Sequence, residues 1–203
     1  MPTPTFFRLP ADKQERILNA AIGEFSQRNV EEANLANIVR AAGIARGSIY
    51  QYFENKEDIY VFVFETLRGR RSEFTRPAME HYKVAPFLDF FEEYYRLDSQ
   101  YLLEHPSHIE LGKVMYSHAR GVARDLIEAY QRKNRDLFLL GIAHDQSLGR
   151  IRPDVDPPVL ADLCTHFMSD VFIFQNLTAR VTFESVQRHL AGTMDIVRRG
   201  VAA

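Results

Sequence analysis

The stretch Ile38-Val39-Arg40-Ala41-Ala42-Gly43-Ile44-Ala45-Arg46-Gly47-Ser48-Ile49-Tyr50-Gln51-Tyr52-Phe53-Glu54-Asn55-Lys56-Glu57-Asp58 decides the fold. Just ahead of it, Asn34 offers a side-chain oxygen to the unsatisfied N–H groups of a helix start. The spacing of Leu35, Ile38 and Ala42 predicts a short helix over 35–42 with one apolar side. Gly43 breaks that helix, because glycine adopts the positive φ of a sharp reversal without steric cost. A second short helix is predicted over about 45–52, with Ile49 and Phe53 pointing inward. Asn55 then caps a longer helix, whose first turn carries Glu57 and Asp58 where the helix dipole favours them. Helix, tight glycine turn, helix is the helix-turn-helix pattern. The piece after Gly43 is too short to be stable alone. Neighbours must hold it, which leaves its outer face free to enter a DNA major groove.

Working outward, Ile17, Leu18, Ala21, Ile22 and Phe25 form one stripe of a helix predicted over 11–28, stopped at Asn29. Downstream, Pro77 and Pro86 are expected to bracket a connection. Phe87, Phe90, Phe91, Tyr94, Tyr95 and Tyr101 then crowd one long helix. Pro106 opens another helix to about His118, and a long one follows over 120–146. A Pro- and Asp-rich loop over 149–158 leads to two last helices, over about 159–179 and 183–199. No strand, repeat or low-complexity tract emerges. The expected fold is all-α. It has an N-terminal three-helix helix-turn-helix DNA-binding domain over 1–55 and a linking helix over about 56–72. A C-terminal helical ligand-binding and dimerisation domain follows over 73–203.

Composition narrows the function classes. The chain has 203 residues, 46% hydrophobic and 26% charged, which suits a globular protein with a proper core. Its apolar runs are far too short to span a bilayer, and its first ten residues lack a signal-peptide design, so a cytoplasmic location is expected. The single cysteine, Cys164, excludes an internal disulfide and a cysteine-pair zinc site within one chain. His105 and His108 have i, i+3 spacing, but Pro106 lies between them and no acidic cluster accompanies them. Neither a metal nor a cofactor is expected. No nucleophile elbow, phosphate-cradling glycine loop or metal-ligand motif points to an enzyme. The net charge is −2, and seven bases stand against eight acids before Tyr60. DNA binding must therefore rest on where charges lie, since phosphate attraction is local.

The residues from Ile38 to Ile59 resemble the DNA-binding signature of TetR-family regulators. The Ala-Gly turn, Gly-Ser-Ile-Tyr, Tyr-Phe and Asn-Lys-Glu carry the likeness, which extends from about Gln14 to Leu67. The resemblance implies a bacterial ligand-responsive transcriptional regulator, most often a repressor. It would bind palindromic double-stranded operator DNA as a homodimer. It places Arg46, Gly47, Ser48, Gln51 and Tyr52 on the exposed face or start of the recognition helix. Tyr50 and Lys56 would touch phosphates, and Asn34 would cap the preceding helix near the DNA backbone. Ala45 stands where the family often has serine, so one capping hydroxyl is missing. The chemistry agrees in part: Arg46 suits a bidentate contact to guanine and Gln51 to adenine. Tyr52 has an equal alternative in the core, with only its hydroxyl exposed.

The resemblance also implies an effector pocket among the middle helices. Phe62, Phe91, Tyr94, Tyr95, Met115, Tyr116, Phe138 and Phe167 are its candidate lining, although most such aromatic residues are simply core. Such a lining favours a small apolar or aromatic effector. Tyr94, Tyr116, His118 and His166 are candidate polar anchors. Leu160, Leu163, Phe167, Val171 and Phe174 form one helical stripe, and Val186, Leu190, Met194 and Val197 another. One stripe per helix could serve the protomer core alone; in the family the last two helices pair with their mates, which assigns these stripes to the dimer interface.

Overall fold

The computed structural model describes residues 1–82, 84–167 and 182–202. Helices dominate these residues. In chain order they are α1 (Pro4–Phe7), α2 (Ala11–Phe25), α3 (Leu35–Ala42), a 3-10 turn (Arg46–Ser48), α4 (Ile49–Tyr52), α5 (Lys56–His81), α6 (Phe87–Glu104), α7 (Pro106–Ser117), α8 (Gly121–Ser147), α9 (Pro157–Phe167) and α10 (Phe183–Val201). The one β feature among the described residues is an isolated antiparallel bridge between Ile151 and Ala202.

The elements sort into two compact units. The first comprises Met1–Arg70 and His105–Ile127, and the second comprises Arg71–Glu104 and Glu128–Ala203. The sequence reading drew a simple break near residues 55–73. The contacts instead assign α7 and the start of α8 to the first unit. The physical reason is apolar: Leu111, Met115, Ala123 and Ile127 are buried in the same core as the helix-turn-helix residues.

That core is built on the side chains the stripes supplied. Ile17, Phe25, Ile38, Ile49 and Phe53 are at most 1% exposed. Each such burial stabilises the unit by about 1.5–3 kcal/mol relative to exposure. α1, for which the sequence analysis named no element, adds Phe6 with no exposure at all.

Two expectations at helix ends are met locally. Asn34 caps α3, its side-chain oxygen accepting from the Ala36 N–H at 2.9 Å. Gly43 ends α3 at φ 64°, and the Ile44 N–H returns to the Val39 carbonyl at 3.2 Å, the closing bond of a left-handed stop. One expectation fails. Pro77 does not open a connection, because α5 runs through it to His81. A proline costs an interior helix one ladder bond, which packing on both sides of it can outweigh.

In the second unit, α6 packs against α10. Arg198 of α10 bonds Asp89 at 2.7 Å and Glu92 at 2.8 Å. Asp145 of α8 is buried and accepts the Phe87 N–H at 2.7 Å, capping the start of α6. Gly141 is there for clearance: a Cβ on it would lie 2.8 Å from the Phe87 ring. Among the described residues, no helix is long and apolar enough to cross a membrane.

Candidate nucleic-acid interface

The recognition segment, from Arg46 to Tyr52, is a 3-10 turn followed by one α-helical turn. Its inner side is anchored by Ile49, 1% exposed, and by Tyr52, 4% exposed. Its outer side presents Arg46, Gly47 and Gln51 to solvent, with Ser48 half-buried, and Tyr50 is 61% exposed. Tyr52 therefore sits in the core rather than on the outer face. Its ring meets that of Phe6 edge-on at 6.2 Å, and Lys13 Nζ lies 5.7 Å from its centroid. The reason is register: Tyr52 lies three residues after Ile49, on the same side of a helical turn.

Beside this segment the start of α3 opens an exposed cleft of about 420 Å³, lined by Asn34, Leu35, Ala36, Arg46, Tyr50 and Lys56 among others. The first N–H groups of a helix have no intrahelical partner and attract anions. The lining carries the Arg46 guanidinium, the Tyr50 phenol and the Lys56 ammonium against one carboxylate, Glu32, so two cations outweigh one anion where a phosphate oxygen would sit.

Lys56 is not a loose surface cation. Its Nζ donates to the Glu31 carbonyl at 2.6 Å and the Ala33 carbonyl at 3.2 Å. The ammonium thus clasps the turn that leads into α3, while its charge stays at the cleft.

Glu24 on α2 was missed in the sequence reading. It is 7% exposed. Its carboxylate accepts the Asn34 N–H at 2.8 Å, Asn37 Nδ2 at 3.0 Å and Arg28 at 3.3 Å. It therefore ties the entry of α3 to α2. The signal was present: Glu24 falls on the apolar stripe of Ile17 and Ala21, and an acid on a buried stripe must be bonded to persist.

The expected effector lining divides in two. Phe62, Met115 and Tyr116 pack in the first unit, with Phe62 only 4.9 Å from the Phe6 ring. Phe91, Tyr94, Tyr95 and Phe138 are buried in the second unit, where Phe91 and Phe138 meet edge-on at 5.4 Å. Phe167, half-buried, joins them through Tyr95 at 6.3 Å. Burial, then the neighbouring Tyr130 and Asp98, push the Tyr94 phenol well above its ordinary range, so it remains a hydrogen-bond donor at neutral pH. Of the other candidate anchors, His118 and His166 are both exposed. Burial pushes the Cys164 thiol up to about 12, which leaves almost no reactive thiolate at neutral pH.

The two dimer stripes also split. Leu160, Leu190 and Met194 are buried within the protomer, and Val186 and Val197 are half-buried. Leu163 is 48% exposed. Val171 and Phe174 lie outside the described residues. The sequence reading missed Val159, 64% exposed, and Ile196, 73% exposed, on α9 and α10. A stripe of three-and-four spacing has two edges, and here one edge faces the protomer core.

Comparison with known proteins agrees with the helix-turn-helix assignment. Residues 17–61 match the family model of bacterial regulatory proteins, tetR family. The HTH-type transcriptional regulator AcrR of Shigella flexneri is 37% identical over 54 residues, covering 27% of this chain and 25% of that protein. The fatty acid metabolism regulator protein of Bacillus subtilis (strain 168) is 34% identical over 58 residues, covering 29% of this chain and 30% of its own. The chain thus matches well under half the length of these relatives. Solved structures extend the likeness in fold. A TetR family transcriptional regulator from Chloroflexus aurantiacus J-10-FL aligns over 100% of this chain and 99% of its own, with a TM-score of 0.75 at 20% identity. The regulator FadR from Bacillus subtilis, in complex with stearoyl-CoA, covers 89% of this chain and 96% of its own, with a TM-score of 0.69 at 15% identity.

Proposed function

Because this chain belongs to the TetR family of bacterial regulatory proteins, we propose that it is a ligand-responsive transcriptional repressor. It works in the cytoplasm, binds a palindromic operator as a homodimer and leaves it when a small apolar or aromatic effector binds. The observation that carries the DNA reading is the two-sided recognition segment. Ile49 and Tyr52 fix its back, and Arg46, Tyr50 and Gln51 stand outward beside the open start of α3. Arg46 and Gln51 read base edges, whereas Tyr50, Lys56 and the Asn34-capped start of α3 hold the phosphate backbone. Residues 1–55 read DNA in this scheme, the helix over 56–72 is the link, and 73–203 hold effector and partner.

The aromatic core of the second unit supports an apolar effector, with Phe91, Tyr95, Phe138 and Phe167 as walls and the Tyr94 phenol as a polar anchor. The related fold that holds stearoyl-CoA makes a long acyl chain one reasonable probe. Effector and DNA would oppose each other reciprocally, by about 1–3 kcal/mol of coupling.

The test is fluorescence anisotropy against operator candidates selected from random DNA, in the presence and absence of apolar ligands found by thermal shift. One DNA sequence class should bind far more tightly than random DNA, and a ligand should weaken that complex. Equal binding to all duplexes would overturn the regulator reading. A ligand of the second unit with the same affinity for free and operator-bound protein would overturn release by that ligand.

The dimer has its own test. Two copies must present recognition segments about 34 Å apart to enter successive major grooves. Leu163→Glu and Ile196→Glu, placed at exposed apolar positions, should each shift the protein to monomer by light scattering and weaken operator binding without unfolding it. A wild-type protein that stays monomeric at tens of micromolar would sink the dimer.

A further inference from the structure

We propose that the segment 1–9 is a brace that sets the recognition segment in place, with Thr3 as its positioning residue and Phe6 as its anchor; this rests on the DNA reading above. α4 ends at Tyr52, and the Phe53 N–H closes its last turn on the Ile49 carbonyl at 3.0 Å. The Gln51 and Tyr52 carbonyls lie beyond the reach of any further donor of that helix. Thr3 takes both. Its Oγ1 donates to the Gln51 carbonyl at 2.7 Å, and its N–H donates to the Tyr52 carbonyl at 2.8 Å. Thr3 can do so because it is extended, at φ −72° and ψ 161°, as the cap residue of α1. Pro4 follows at the first helical position, where its fixed φ suits a helix start.

Phe6 keeps this clasp from drifting. It is wholly buried, with its ring 5.2 Å from Phe53, just past α4, and 4.9 Å from Phe62 on α5. At the other end of the segment, Gln14 Nε2 donates to the Leu9 carbonyl at 2.8 Å and so ties it to α2. The segment is thereby hydrogen-bonded to α4 and α2 and packed against α5. The recognition segment needs such help, since one 3-10 turn and one α turn fall far short of a self-supporting helix. The bond from Thr3 also lands on the backbone of Gln51, whose side chain faces outward. A shift of that carbonyl moves the point from which Gln51 reaches a base, and recognition tolerates only about 0.5 Å of such play.

The experiment compares the wild-type 203-residue chain with Thr3→Val, which removes the hydroxyl donor at nearly constant shape, and Thr3→Ser, which keeps it. Amide hydrogen exchange over residues 49–53 is measured without DNA, and affinity is measured for selected operator and for random duplex. Thr3→Val should speed exchange there and lower the operator-to-random ratio, each by about 3- to 10-fold. Thr3→Ser should restore both values. The melting temperature should fall by no more than about 4 °C. A merely structural hydroxyl would lower stability and leave the ratio alone. Wild-type exchange rates in Thr3→Val, or an unchanged ratio, would overturn the brace. A wild type that selects no operator would overturn the DNA reading, and the exchange measurement would still judge whether Thr3 holds α4.

Discussion

Replacing Arg71 with methionine should cost about 3–5 kcal/mol of stability, because it strips a buried carboxylate of its guanidinium. Arg71, at the start of the second unit, is 13% exposed and pairs through two nitrogens with both oxygens of Asp98 on α6. Asp98 itself has no exposure. Thr75 and Ser99, both 1% exposed, lie close along the same two helices, and each hydroxyl donates to a backbone carbonyl of its own helix. The polar groups of this region are therefore bonded, and the pair is the part that one substitution can break. Taking two charges out of water is expensive, and their mutual attraction offsets that cost only while both are present. The double variant Arg71→Met with Asp98→Leu should recover most of the loss, since an apolar pair of similar size carries no buried charge. Urea unfolding of the three proteins decides it. A single variant as stable as wild type would show that the pair adds nothing to stability and would overturn the prediction.

Arg46→Ala should weaken operator binding by about 1–3 kcal/mol, roughly 5- to 150-fold, and relax preference at one base pair in each half-site. Arg46 opens the recognition segment, is exposed, and borders the cleft at the start of α3. A guanidinium there can make two parallel bonds to guanine, which alanine cannot replace. Lys56→Ala should behave differently. Its ammonium is held on the Glu31 and Ala33 carbonyls, so it offers charge to the phosphate backbone rather than reach to a base. Operator and random DNA should lose affinity alike, and the salt dependence should flatten. Anisotropy titrations at several salt concentrations separate the two. An Arg46→Ala protein with an unchanged operator-to-random ratio would remove Arg46 from base reading.

By itself, the sequence determined the features that depend on near neighbours along the chain. The Gly43 reversal, the Asn34 cap and the helix starts at Lys56 and Pro106 follow from groups within a few residues of each other. The stripes of α2 and α3 follow from 3.6-residue periodicity, which is also local. The outward set of Arg46, Gly47 and Gln51 was legible for the same reason, once a signature fixed the register of the recognition segment. Tertiary structure alone decided which edge of a stripe is core. Leu160 and Leu190 turned inward and Leu163 stayed out, although all three obey the same spacing. It also decided that Met115 and Tyr116 join the helix-turn-helix core rather than the aromatic cluster of the second unit. The pairs that shape the DNA-reading surface belong to this class too: Thr3 with Gln51, Glu24 with Asn34 and Lys56 with Glu31. Nothing local marks such partners, because a hydroxyl, a carboxylate or an ammonium bonds whichever group the packed helices bring within about 3 Å. Burial then makes that bond obligatory.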